Sequence, residues 1–203
     1  MSIKPATDAE TAALALAARN GRPEELRTFL DRYPREAWAG HENLGQMCQF
    51  WLSRHNMFRE LAVSIEDALA RYREGKMEGQ EFVNFFAPRL QFFLEQLHAH
   101  HQIEDYHYFP IFRKAEARLL AGFDVLEADH ATLHHDIEST VAAANGLLQS
   151  FSGDVDTLKR AADTYTNASG ALFKGLKRHL DDEEDLIVPL ILDRSEHKLG
   201  IGH

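Results

Sequence analysis

Cysteine is nearly absent from this chain. The single Cys48 cannot form an internal disulfide, a zinc finger or a cysteine-ligated iron–sulfur cluster within one chain. Long apolar runs are missing as well: no stretch approaches the roughly 18 uninterrupted apolar residues of a membrane span. The opening MSIKPATDAETAALALAARN lacks the basic start and long apolar centre of a signal peptide. The expectation is a cytoplasmic protein with no membrane partner. Positive charge is in deficit, with 22 Lys and Arg against 32 Asp and Glu and a formal net charge of -10. That argues against a nucleic-acid partner, because phosphate binding relies on clustered basic residues. Nothing in the sequence specifies a protein partner.

Strand-period alternation is lacking too, and turn and capping signals divide the chain into helices. A short helix is expected from about Asp8 to Asn20, ended by Asn20-Gly21, and a second amphipathic segment, PEELRTFLDRY, stops near Pro34. Both are placed outside the main bundle, as a short N-terminal extension over 1–34. Four long segments follow over 35–194: about Arg35 to Glu74, Glu78–Glu81 to Leu120, Asp124 to Leu148 and Asp154 to Arg194. Pro88, Pro110 and Pro189 are expected kinks or breaks. Short connections make neighbours antiparallel, so the expected fold is all-α, an up-down-up-down four-helix bundle with a polar tail over 195–203.

What the chain has in plenty is histidine, twelve in all. Two segments read alike: HHQIEDYHYFP at 100–110 and HLDDEEDLIVP at 179–189 each place a carboxylate four residues after a histidine, another at five and proline at ten. Residues four apart share a helix face, so His100 with Glu104, and His179 with Glu183, can each offer a nitrogen and an oxygen to one point. His55 precedes His100 by 45 residues and His130 precedes His179 by 49, a pseudo-repeat of single-histidine helix followed by HxxxE helix. His134, four after His130, adds a fifth imidazole. Five imidazoles and two bridging carboxylates suffice for two metal ions with one coordination position open. This nitrogen–oxygen donor set favours iron or manganese over structural zinc.

The pattern H…HxxxE…HxxxH…HxxxE, carried by WLSRHNMFREL, HHQIEDYHYFP, EADHATLHH and RHLDDEEDLIVP, resembles the hemerythrin-like HHE cation-binding domain from about Gln49 to Leu192. The resemblance implies two iron ions, ahead of zinc or manganese. His130, His134 and His179 would hold one ion, and His55 and His100 the other. Glu104 and Glu183 would bridge them, and dioxygen, nitric oxide or peroxide would be the small ligand. Oxygen-carrying members place the last carboxylate five residues after the histidine, so Glu184 competes with Glu183. The leading expectation is a di-iron protein that binds such a ligand for sensing, storage or detoxification. An oxidoreductase turning over peroxide or nitric oxide, and a metal-stabilised interaction bundle, are the other readings.

The remaining candidates receive plainer readings. His41 would cap a helix or lie on the surface, and His98, His101, His107 and His135 point away from the site by helical phase. Asp105, Asp181, Asp182 and Asp185 would form a solvated acidic face. Trp51, Phe58, Phe85, Phe86, Phe92 and Phe93 are expected in the core, with Trp51 one turn from His55. A ferritin-like scheme would instead pair Glu95 with His98 and Glu127 with His130, but it leaves the two HxxxE segments unexplained.

Overall fold

This computed structural model describes residues 12–21 and 23–202, and no strand occurs among them. The start expected for the first short helix near Asp8, and His203, lie outside those residues. The fold is an all-helical bundle: α1 is Gln46–Arg73, α2 Gly79–Ile103, α3 Phe109–Ala115, α4 Leu120–Ser150, α5 Val155–Arg194 and α6 Glu196–Leu199. A π-helical turn, Glu104–Tyr108, joins α2 to α3. Among the described residues no helix is long and apolar enough to cross a membrane.

The long helices bury a stripe spaced by alternating steps of three and four, and α5 is in addition buried nearly all round from His179 to Leu192. In α1 the buried positions are Cys48, Trp51, His55, Phe58, Ala62, Ile65, Ala68 and Leu69. In α5 they include Ala162, Tyr165, Ser169, Leu172, Leu176, His179 and Glu183. This spacing holds one face toward a core. A polar residue in the stripe is therefore buried by register, and that is how His55, His179 and Glu183 come to be inside.

Several boundaries differ from those the sequence suggests, each for a local reason. α1 does not start at Arg35, where only a 3-10 turn, Arg35–Ala37, forms. It starts at Gln46, where Glu196 caps it from far along the chain. Glu196 Oε1 accepts from Cys48 N at 2.8 Å and Oε2 from Met47 N at 3.4 Å. These are orphan donors at the positive end of the helix. The residues expected as a polar tail thus cap α1, and Leu199 and Ile201 among them are buried. α1 ends at Arg73, and Gly75 in the turn after it has a φ of +68° that suits glycine. Gly122 does not precede α4 but lies inside it. A Cβ there would fall 2.5 Å from Glu25 O and 2.8 Å from Leu186 Cδ1, so close approach explains the glycine rather than a turn. Pro88 and Pro189 sit within helices. Pro110 starts α3, where a missing N–H costs little.

The described residues divide into two compact units: those up to Trp51, Glu104–Thr132 and those from Arg178 onward form one, and Leu52–Ile103 and Leu133–Lys177 the other. In the second, aromatic rings do much of the filling. Phe82 stacks on Phe86 at 4.8 Å, Phe86 meets Tyr165 at 5.0 Å, and Phe93 meets Phe58 and Phe173 edge-on. Phe92 is 44% exposed and Phe85 half-buried under the Arg89 guanidinium, so these two do not join the core as expected. In the first unit the segment ahead of α1 is itself packed, with Leu26, Phe29, Leu30 and Trp38 buried.

The first unit also carries an ion-pair knot at Glu116. Its carboxylate accepts from Arg118 Nε and Nη2 and from Arg194 Nη2, all at 2.8 Å. Arg118, against the opposing effect of burial, holds the Glu116 carboxyl down at about 2. A depressed acid stabilises the fold above its unfolded pKa and loses that contribution as pH falls through the folded value. Arg118 is largely exposed, so water screens part of the effect. Glu116→Gln should cost about 1–2 kcal/mol at neutral pH. In urea titrations that cost should shrink as pH falls from the ordinary carboxylate range toward about 2. A cost independent of pH would contradict this assignment.

Candidate metal centre

Two histidine pairs have the same geometry. His55 Nε2 and His100 Nε2 lie 3.1 Å apart, and so do His130 Nε2 and His179 Nε2. Two nitrogens bound to one ion at about 2.1 Å and a right angle apart would be about 3.0 Å from each other. Carboxylates stand at the same points: Glu104 Oε2 is 3.6 Å from His130 Nε2, and Glu183 Oε2 is 3.6 Å from His179 Nε2. Four of these six residues are fully buried or nearly so, namely His55, His179, Glu104 and Glu183, at 0–1% exposure; His130 is 2% exposed and His100 half-buried. Ligand atoms of His55, His100, Glu104 and Glu183 all lie within 4.8 Å of one another, and so do those of His101, His130 and His179.

Burial raises the Glu104 and Glu183 carboxyls well above the ordinary value, and for Glu183 the charge of Glu104 adds to it. Two carboxyl groups in so dry a place require either protons or a cation between them. Four imidazoles with two carboxylates form a mixed nitrogen–oxygen set without thiolate, suited to iron or manganese. Cys48 is in neither donor group, and burial pushes its thiol up to about 12.

The outer nitrogens are also provided for. His130 Nδ1 is 2.7 Å from Asp105 Oδ1, and His179 Nδ1 is 3.3 Å from Asp129 Oδ2. A carboxylate only accepts, so each Nδ1 carries the hydrogen and each Nε2 keeps its lone pair for an ion. Burial raises Asp129, but His179 and Arg19 outweigh it and hold the carboxyl below the ordinary range. The π turn makes the surroundings of His130 possible. Glu104 and Asp105 at its start approach the two ring nitrogens, while Phe109 just after it stacks on the ring at 5.4 Å. π turns are rare and frequent at functional sites.

Several expected roles are redistributed. His134 is half-buried and belongs to neither ligand group; its ring meets those of His98 at 5.2 Å and His101 at 5.6 Å. His101, expected on the surface, is fully buried and stands with His130 and His179. Its signal was the doublet itself: His100 and His101 are both within one turn of Glu104, at spacings of four and three. Glu184 is in neither donor group and pairs with Arg35 at 2.8 Å. The solvated acidic face is also corrected. Asp185 is buried on Arg35 at 2.6 Å, Asp182 on Arg19 at 2.9 Å, and Asp105 serves His130. Glu127 is exposed on Arg113 and Glu95 exposed beside Gln91, which removes the ferritin-like scheme. His41 lies ahead of α1, accepting from Asn43 N, and His107, His135 and His197 are exposed. Trp51 contacts Glu104 and its ring packs on Tyr108 and Phe112.

Comparison with known proteins gives one family model, described as the Hemerythrin HHE cation binding domain, which matches residues 46–191. No curated protein and no solved structure gives a match.

Proposed function

Since the chain belongs to the hemerythrin HHE cation-binding domain family, we propose that it is a non-haem di-iron protein that binds dioxygen, nitric oxide or peroxide for sensing, storage or detoxification in the cytoplasm. The observation that carries this reading is the repeated histidine pair, 3.1 Å between Nε2 atoms in each half, with two buried carboxylates beside it. His55 and His100 would hold one iron. His130 and His179 would hold the other, with His101 taking the place first assigned to His134. Glu104 and Glu183 would bridge. Bound iron would supply reversible binding and electron exchange with a small oxidising ligand. The chain's own part is to keep the donors dry and to fix the tautomers of His130 and His179 through Asp105 and Asp129.

Anaerobic titration with Fe(II) should end at two iron per chain, and admission of air should produce visible absorption that nitric oxide alters. His101→Ala is expected to weaken binding of one iron by 10-fold or more, roughly the loss seen when a supporting group of a metal site is removed. His134→Ala should leave the stoichiometry unchanged. Fewer than one iron per chain in the wild type would end the di-iron reading; the reverse order of the two variants would restore His134 as the ligand.

A further inference from the structure

We propose that Arg19, which lies ahead of the family-matched residues, is a positioning residue for the His179 imidazole, a reading that rests on the metal centre described above. The path is short and fully buried. Arg19 Nη1 donates to Asp129 Oδ1 at 3.0 Å and Nη2 to Asp129 Oδ2 at 2.5 Å, a two-pronged grip that fixes both position and tilt of the carboxylate. Asp129 Oδ2 then faces His179 Nδ1 at 3.3 Å. The side chain of Arg19 is 0% exposed and that of Asp129 2%. Arg19 Nε also donates to Asp182 Oδ2 at 2.9 Å, one residue before Glu183, and Arg178 shares that oxygen at 2.7 Å.

The segment carrying Arg19 is built to present it. Arg19 Nη1 donates to Leu14 O at 2.7 Å, which folds the side chain back along its own turn. Arg178 donates to the Gly21 carbonyl and ties the far side of that turn to α5. A lysine could neutralise Asp129 but could not grip both oxygens and Asp182 together. Without the grip, Asp129 is free to rotate, and His179 is no longer held as the Nδ1–H tautomer that leaves Nε2 for a metal.

The test compares the wild type with Arg19→Lys, Arg19→Ala and Asp129→Asn, and with Arg32→Ala as control. Arg32 forms a surface pair with Asp193 from the same N-terminal region and reaches no histidine. In the metal-free proteins, long-range proton–nitrogen correlation spectra report the His179 tautomer directly. The wild type and Arg32→Ala should show Nδ1–H, and Arg19→Lys a mixture of both tautomers. With Co(II) as the probe, competition against a chelator should show one ion bound about 10–100-fold more weakly in Arg19→Lys and Asp129→Asn. Its visible d–d bands should shift in the same variants. Should Arg19→Ala fail to fold, Arg19→Lys decides. An unchanged tautomer and unchanged Co(II) affinity in Arg19→Lys would overturn the proposal. A wild type that shows Nδ1–H at His179 but takes up no metal would end the metal reading while leaving the role of Arg19 to the tautomer measurement alone.

Discussion

Stripping the metal from the loaded protein is expected to lower its thermal midpoint by about 10 °C and to reverse the way its stability depends on pH. A ligand at about a thousand times its dissociation constant stabilises a fold by about 4 kcal/mol. In a chain of this size each kcal/mol moves the midpoint by about 2–4 °C. The pH effect follows from Glu104 and Glu183. In the metal-free fold, burial raises both carboxyls well above their unfolded values. Between those values the fold holds more protons than the unfolded chain, so stability falls as pH rises from the ordinary carboxylate range. The double change Glu104→Gln with Glu183→Gln should flatten that slope. It should also make the metal-free form more stable than wild type near neutrality, because replacing buried ionisable groups with neutral ones removes the cost of charging them. The same variant should bind no iron. Calorimetry of metal-free protein from mildly acid to neutral pH checks this, and a wild type that grows steadily more stable toward neutrality would refute it.

Phe58→Ala should be the most damaging single change outside the ligands. The ring is fully buried on α1, one turn after His55. It meets Phe93 edge-on at 6.0 Å and the His100 ring at 5.2 Å, with the Arg54 guanidinium 5.6 Å from its centre. Truncating a buried phenylalanine costs about 3–5 kcal/mol through lost transfer energy and the cavity left behind. Here the cavity would also open beside His100, whose packing on that side is the Phe58 ring. Phe58→Leu should recover about half of the stability. Chemical denaturation measures the first effect and Fe(II) titration the second. Full iron affinity in a Phe58→Ala protein that has lost the predicted stability would separate packing from ligand placement and reject the link to His100.

The sequence made the helices readable because the buried stripes keep one spacing along most of their length. The exception is the end of α5, buried nearly all round from His179 to Leu192. Within those stripes His55, His179 and Glu183 replace apolar residues, so the repeat of HxxxE and the core register point to the same side chains. His130 lies in the α4 stripe, with Leu126 four before it and Leu133 three after it. The step to Leu133 leaves His134 beside the stripe rather than in it. His101 escaped notice because neighbouring residues diverge by about 100° on a regular helix, and only one of the His100–His101 doublet was credited with facing inward.

The surroundings of the centre were far less legible. Asp182 and Asp185 follow a histidine on a helix rich in acids; Asp182 has Arg178 one turn before it, but neither acid shows in its own helix the distant cation that buries it. Their cations arrive from 163 and 150 residues away, as Arg19 and Arg35. Whether such a carboxylate is solvated or buried depends on a partner that periodicity cannot locate. The N-terminal segment was likewise read as separate from the bundle. Its amphipathic face was visible, but not that its arginines neutralise the acids on α5.

The five-residue π turn at Glu104–Tyr108 also bears on which length changes the chain can tolerate. Residues before the turn and residues after it obey different rotational settings, offset by the extra residue the turn absorbs. Loss of one residue there would restore an unbroken α-helix and swing everything downstream by about 100°. Phe109 would leave the His130 ring, and Phe112 would turn away from Trp51 and Phe123. Insertions and deletions can be absorbed at the glycine turn after α1 or at the short link between α4 and α5. Between Glu104 and Phe109 the spacing of the chain is itself part of the site, as binding a constraint as the identity of any ligand.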